Sequence, residues 1–301
     1  MRAGPNDAPP EARMALNLRA RAVDKPWGRT DLPEPFLNPD GRKIGEIWFE
    51  ERRNPALPLL VKYIFTSERL SIQVHPGDVD ASLHGLASGK EECWYIVDCE
   101  PGAVLGIGLT RRIAETGMRA AIADGSIEQL IDWKPIEPGD FVFIPAGTVH
   151  AIGAGITLVE IQQNADVTYR LYDYGRPREL HLEHGLSVSS LAPYGRAPIH
   201  LTIGDTRPLL APGDAPFSLE MRSWTVGESS LLAPDGLCWF VPVAGSGSIN
   251  GEGFQRGECW LVDERSEIMG DAAGSALIAG IGPDAPVSAS PGSPSNTRAA
   301  K

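Results

Sequence analysis

The sequence predicts an all-β dominated protein made of short antiparallel strands, with one brief helical interruption. Three observations predict it. The apolar runs are short, rich in β-branched and aromatic residues, and bounded by Gly, Pro or Asp, as in LLVKYIF over 59–65 and FVFI over 141–144. The 33 Gly and 26 Pro provide turns at the density such strands need. Finally, "IEPGDFVFIPAG" and "GSGSINGEGFQRGECWLV" share a turn, then Gly with an acid, then an apolar strand. That is the rhythm of jelly-roll hairpins.

Taken in chain order, strands are expected over 44–50, 59–65, 69–74, 92–97, 103–107, 141–144 and 156–161. Between Arg111 and Asp132 the pattern changes: Ile113, Met118, Ala121, Ile122, Ile127, Leu130 and Ile131 recur near helical spacing. Gly117 and Gly125 interrupt them, so two or three short helices fit better than one long one. A second β-rich region runs from about 200 to 283. The domain reading is a disordered tail at 1–12, a catalytic domain at 13–195 with its helical insertion at about 111–132, a smaller β domain at 196–283, and a Pro/Ser-rich tail at 284–301.

Composition narrows the partners. A net charge of −12 argues against a nucleic-acid backbone as the main ligand. No apolar run approaches the ~18–20 residues of a membrane span, and the N-terminal segment lacks the apolar stretch of a secretory signal. Cys93, Cys99, Cys238 and Cys259 contain no CxxC pair and read as reduced core thiols of a cytoplasmic protein. A monomer or a homodimer is equally compatible with these features.

Four segments carry chemistry. In "LSIQVHP", Gln73 and His75 stand two apart and project to one face of a strand, with Ser71 on the same face. Alone, that row also fits an ordinary exposed sheet face. In "GDFVFIPAGTVHAIG", a Gly turn feeds a buried strand, and Pro145 with Gly147 makes a corner that aims His150 inward. In "GKEECWYIV", Glu91 and Glu92 precede an apolar strand, and alternation lets only one face inward; Glu92 is taken as that one and Glu91 as solvent-facing. A Glu at a strand start is normally a surface residue. Two imidazoles, a carboxylate and an amide oxygen together form a donor set for zinc or another divalent ion. His84 follows an expected helix, and His181, His184 and His200 lie in polar connections and read as surface residues. The fourth segment, "LVEIQQNADVTYRLYDYGR", sets Glu160, Asp166, Arg170, Asp173 and Arg176 among apolar residues. A wall of a binding site and a salt-bridged surface loop both fit it, the group favouring the wall.

The spacing G-x5-P-x-G-x2-H from Gly139 to His150 is similar to a cupin motif, with Ala154 where an Asn is usual. With "KPWG", "IGEIWF", "LSIQVHP", "GKEECWYI" and "QQNADVTYRLYDYGR" in this order, residues 23–190 resemble the type I mannose-6-phosphate isomerases (phosphomannose isomerases) in their short bacterial form. The resemblance implies a double-stranded β-helix of cupin type and a zinc enzyme interconverting mannose 6-phosphate and fructose 6-phosphate. It implies Gln73, His75, Glu92 and His150 as metal ligands, Arg170 as catalytic arginine and Glu160 as base, with Asp166 or a metal-bound water in competition. Lys90 matches an active-site lysine, and Ser71 and Arg176 match phosphate-binding positions. A base at Glu160 needs a pKa raised by burial to work near neutrality. Arg29 and Glu91 depart from the family pattern. The rival readings are another metallocupin, either an iron oxygenase or an enzyme acting on a different sugar, and a non-catalytic sugar-phosphate-binding bicupin. Gln73 as a fourth ligand weighs against the oxygenase, and a base with two cations weighs against the binder.

Overall fold

The structure, a computed structural model, describes residues 15–51 and 56–282. The predicted tails at 1–12 and 284–301 lie outside the described residues. The chain divides into two compact units. One is Arg19–Thr202. The other contains residues 203–282 and also 15–18, so the first described segment goes with the C-terminal unit rather than with the region 13–195. A ladder explains this: strand β1 (Leu16–Asn17) pairs with β19 (Trp260–Val262), and Leu18 N donates to Cys259 O.

In the unit Arg19–Thr202 two antiparallel sheets lie in layers. The larger has seven strands: β2 (Arg19–Arg29), β3 (Ile44–Glu50), β4 (Leu59–Phe65), β6 (Glu92–Cys99), β9 (Asp140–Ile144), β11 (Ile156–Gln163) and β13 (Ile199–His200). Their spatial order is β13-β9-β6-β11-β4-β3-β2. The smaller contains β5 (Ile72–Val74), β7 (Val104–Leu109), β8 (Ile131–Pro135), β10 (His150–Ile152) and β12 (Tyr169–Tyr172), in the order β12-β5-β10-β7-β8. This is the mostly-β, cupin-type architecture. The strand expected at 69–74 is confined to Ile72–Val74. Ahead of it, Leu70 N bonds Ile152 O and the Arg69 carbonyl is taken by Arg176, so these groups never enter the β12 ladder.

Alternation decides what each sheet shows to each side. Ile64, Trp94, Ile96, Val142 and Leu158 of the larger sheet meet Leu105, Ile107 and Ile152 of the smaller one in a core between the layers. On the smaller sheet's other face, Ile72, Val74, Val149 and Ala151 pack under the helices α2 (Glu115–Asp124) and α3 (Ile127–Leu130), through Met118, Ile122 and Ile127. Gly125, with φ +81°, ends α2 in the left-handed conformation that glycine adopts without strain. Two shorter helices, α1 (Asp78–Leu83) and α4 (Leu182–Val188), complete the unit. Since Ile72 and Val74 point to the helices, Gln73 must point into the space between the sheets.

The other unit is an eight-stranded antiparallel sheet ordered β1-β19-β17-β20-β15-β14, where β14 is Arg207–Leu210, β15 Ser218–Trp224, β17 Cys238–Ile249 and β20 Ser266–Gly280. Strands β16 (Ser229–Leu232) and β18 (Glu252–Gln255) pair with β20 and β17. Its core centres on Trp224, Phe240, Phe254 and Trp260. Among the described residues no helix is long and apolar enough to cross a membrane.

Thr66 fastens the end of β4 to the β10–β11 turn. Its buried hydroxyl donates to Gly153 O at 2.8 Å and accepts from Ile156 N at 2.9 Å. Thr66→Val keeps the shape but orphans both partners, so urea unfolding should show a loss of ~1–3 kcal/mol.

Candidate active site

Two polar rows face each other across the layers. In the smaller sheet, Gln73 lies opposite His150 on one side and Arg170 on the other. In the larger sheet, Lys62 lies opposite Trp48 and Glu160, Glu160 opposite Trp94, and, two residues along, Gln162 opposite Glu92. Between them is a cavity of about 130 Å³. Gln73, Arg170, Lys62, Glu160 and Gln162 line it, as do Ser71, Lys90 and Asp166.

Behind the lining residues Lys90 and Gln73, His75, Glu92 and His150 form a buried knot. His75 Nε2 stands 3.4 Å from Glu92 Oε2, and His150 Nε2 stands 3.3 Å from Glu92 Oε1. Donors bonded at ~2.0–2.2 Å to one tetrahedral ion stand roughly 3.3–3.6 Å apart, so the spacing fits a divalent metal. His150 Nδ1 lies 2.8 Å from Thr148 O, a contact that fixes the proton there and leaves the Nε2 lone pair facing the knot. The Gln73 amide abuts His150 Nε2 at 3.3 Å, with Ser71 Oγ donating to Gln73 Oε1 at 3.2 Å.

The protonation states suit a cation. Burial, reinforced by Lys90, holds His75 neutral down to about 3. Burial likewise lowers His150, against the pull of Glu92. Burial would raise the Glu92 carboxyl, but Lys90 and His75 outweigh it and hold it well below the usual range. Neutral imidazoles and an ionised carboxylate are the forms a metal requires. Glu92 is wholly buried, yet neither of its oxygens receives a well-directed hydrogen bond, although Lys90 Nζ is 2.8 Å from Oε2 and 2.9 Å from His75 Nε2.

Glu160 was expected to depend on burial for its basicity. Its actual surroundings are different. Buried Lys62 holds its Oε1 at 2.9 Å, and Trp94 Nε1 donates to its Oε2 at 3.0 Å. Burial would lower the Lys62 ammonium, but Glu160 and Glu46 outweigh it and keep it charged. Lys62 belongs to no motif. The signal that reveals it is a lysine inside an otherwise apolar strand, a position tolerated only with partners.

The arginines divide differently from the sequence reading. Arg170 lines the cavity, fixed by Nη1 to Glu179 O at 2.8 Å. Arg176 is not among the lining residues: it donates to Arg69 O and stacks 5.4 Å over Tyr174. Arg178 lines the cavity instead, clamped by buried Asp173 at 2.5 and 2.7 Å. Asp166 is exposed at the cavity wall. Glu91, expected to face solvent, is half-buried, and burial with nearby Asp78 pushes its carboxyl up to about 7 against the opposing Arg196. His200 Nδ1 lies 3.0 Å from Asp140 Oδ1 on the far edge of the larger sheet, so it is a surface residue in contact with a carboxylate.

No family model matches the chain. Mannose-6-phosphate isomerase ManA of Bacillus subtilis (strain 168) is 40% identical over 161 residues, covering 49% of this chain and 51% of the relative. The crystal structure of the mannose 6-phosphate isomerase from Bacillus subtilis superposes with a TM-score of 0.73 at 26% identity, covering 89% of this chain and 100% of that one. The chain is similar to the mannose-6-phosphate isomerases. It spans about half the length of the curated relatives it matches. A mannose 6-phosphate isomerase bound with zinc and yttrium shares the fold, at TM-score 0.69 and 13% identity over 90% of this chain and 100% of that one.

Glu91 gives a pH test. Its carboxyl titrates near 7 in the folded chain against the ordinary 4.5, so the folded state binds more protons between those values and loses stability as pH rises through them. Glu91→Gln should flatten that slope and gain on the order of 1 kcal/mol at pH 8 by chemical denaturation, the part-exposed site being screened.

Proposed function

We propose that the chain is an aldose–ketose isomerase, an intramolecular oxidoreductase interconverting mannose 6-phosphate and fructose 6-phosphate, with one zinc ion per chain held by His75, Glu92, His150 and Gln73. The observation that carries this reading is a metal-ready knot joined to a charged cavity wall: Lys90, 2.8 Å from Glu92, and Gln73, 3.3 Å from His150, line the cavity together with Arg170 and Glu160. A bound divalent ion supplies Lewis-acid polarisation of a substrate oxygen. Everything else falls to side chains of the chain itself.

The reaction moves a proton between C1 and C2 through a cis-enediol(ate), which needs a base, a stabilised oxyanion and an anchored phosphate. Glu160 is the proposed base. Lys62 and Trp94 fix its orientation, one on each oxygen, and each oxygen retains a second lone pair for the proton. Asp166 is the weaker candidate, because its exposure leaves it free of that fixed orientation. Lys90 and Arg170 face the developing oxyanion. For the phosphate we substitute Arg178 for Arg176 and keep Ser71: the Asp173 clamp on Nε and Nη2 presents Arg178 to the cavity in one orientation. A protein that only binds a sugar phosphate has no use for a base oriented in this way.

The four cysteines are free thiols, in keeping with a reducing compartment, and we place the enzyme in the cytoplasm. One chain supplies the whole site, so monomer and homodimer both carry it complete. The unit with the eight-stranded sheet is proposed as structural.

A coupled assay for fructose 6-phosphate made from mannose 6-phosphate should show activity that chelation removes and zinc restores. No turnover by folded, zinc-loaded protein would refute the proposal. Arg170→Ala should lose roughly 100-fold or more in kcat with zinc content unchanged; loss of zinc would show that its role is wrong. Lys62→Met should strand the buried Glu160 charge and cost ~3–5 kcal/mol in denaturant unfolding, together with most of the activity.

A further inference from the structure

The block "KPWG" leaves the sheet where it should run straight through. Asp24 and Arg29 both pair with Ile44, so residues 25–28 form a wide bulge out of the edge strand β2. Pro26 has no N–H to give to a ladder. The bulge is pinned on its polar side: Ser67 N donates to Trp27 O at 2.8 Å, Ser67 Oγ to Gly28 O at 2.9 Å, and Lys43 Nζ to Pro26 O at 3.2 Å. It is seated on two glycines. A Cβ on Gly28 would come within 2.5 Å of Gly45 N, and one on Gly45 within 2.5 Å of the Lys25 Cβ and 2.8 Å of the Trp27 ring. The two glycines let this loop lie flat on β3.

The bulge delivers two side chains. Trp27 is buried in the inter-sheet core, and both Trp27 and Lys25 line the cavity. The Lys25 ammonium is 3.3 Å from Glu46 and its side chain is 30% exposed. Glu46 does not depend on Lys25 alone: Trp48 Nε1 donates to its other oxygen at 2.5 Å, and the charge of Lys62 also favours its ionised form. A rigid bulge built on two glycines is more than an ion pair at a sheet edge requires. Lys25 joins Lys62, Lys90, Arg170 and Arg178 around a space of about 130 Å³, where Glu46, Glu160 and Asp166 are the lining carboxylates. Groups around so small a space face a common ligand. Lys62 is committed to Glu160 and Gln162, whereas the partly exposed Lys25 has capacity for further acceptors.

We infer that Lys25 is a substrate-binding residue, contacting the phosphate end of a sugar phosphate alongside Arg178, and that the KPWG bulge exists to place it there. The inference deepens the isomerase reading and rests on it. A phosphate dianion has three oxygens to satisfy, and a compact ammonium donor at the rim adds to what one clamped guanidinium gives.

The test compares zinc-loaded wild type, Lys25→Met and the Lys25→Met/Glu46→Gln double variant. Lys25→Met should raise KM for mannose 6-phosphate roughly 10–100-fold with kcat within about threefold, and should weaken competitive inhibition by inorganic phosphate by the same factor. Zinc content should not change. The double variant should stay impaired, because the missing cation is what matters. Recovery of wild-type KM in the double variant would show that Lys25 merely neutralises Glu46, and unchanged phosphate inhibition in Lys25→Met would overturn the inference. If wild type fails to turn over, the isomerase reading falls separately, and calorimetric titration of inorganic phosphate into wild type and Lys25→Met still decides: equal affinity overturns it. Lys25→Gln replaces Lys25→Met should the latter fail to fold.

Discussion

The Glu92 carboxylate is buried between two neutral imidazoles, and a charge in that position is tolerable only if something positive meets it. Lys90 supplies one positive charge at 2.8 Å. That contact meets only one of the two carboxylate oxygens, and a divalent ion held by Glu92 and the imidazoles would meet the other. Much of the surrounding structure serves this requirement. The core between the layers excludes water from the knot, and the Trp94 and His150 rings pack nearly perpendicular with centroids 5.5 Å apart. The corner at Pro145 and Gly147 turns the chain so that His150 arrives opposite Gln73.

The same logic extends one strand outward. Glu160 would be a second uncompensated buried charge without Lys62, and Lys62 would be one without Glu160 and Glu46. Each sheet therefore carries a polar row through an apolar layer, and each row is stable only because it is internally paired or meets a partner at the cavity. Chemistry and stability are coupled here: a substitution in a row removes a function and also leaves a charge in the interior.

The fold was largely legible in the sequence because short β-branched runs between turn residues have few alternatives. The expected strands at 44–50 and 59–65 carry the same bounds in the structure, and the broken periodicity from Ile113 onward became α2 and α3 around Gly125. His150 was visible through its local spacing. Gln73 and Glu92 were weak candidates taken singly, since they lie in different sheets and come together only through the packing of one layer on the other. Three features were hidden for physical reasons. Arg176 and Arg178 lie two apart in a turn where Tyr174 and Gly175 both have positive φ, so strand alternation cannot say which reaches the cavity. Lys62 depends on a partner 98 residues away. The segment at 15–18 joins the second unit through a pairing partner far down the chain, which no local pattern encodes.

The central claim is that the Glu92 knot is a cation site, and metal stoichiometry tests it without relying on turnover. Protein stripped by chelation and titrated with zinc, followed by calorimetry and elemental analysis, should bind one ion per chain with a rise in thermal midpoint, and Glu92→Gln should abolish both. Absence of binding, or binding that Glu92→Gln leaves intact, would contradict the account.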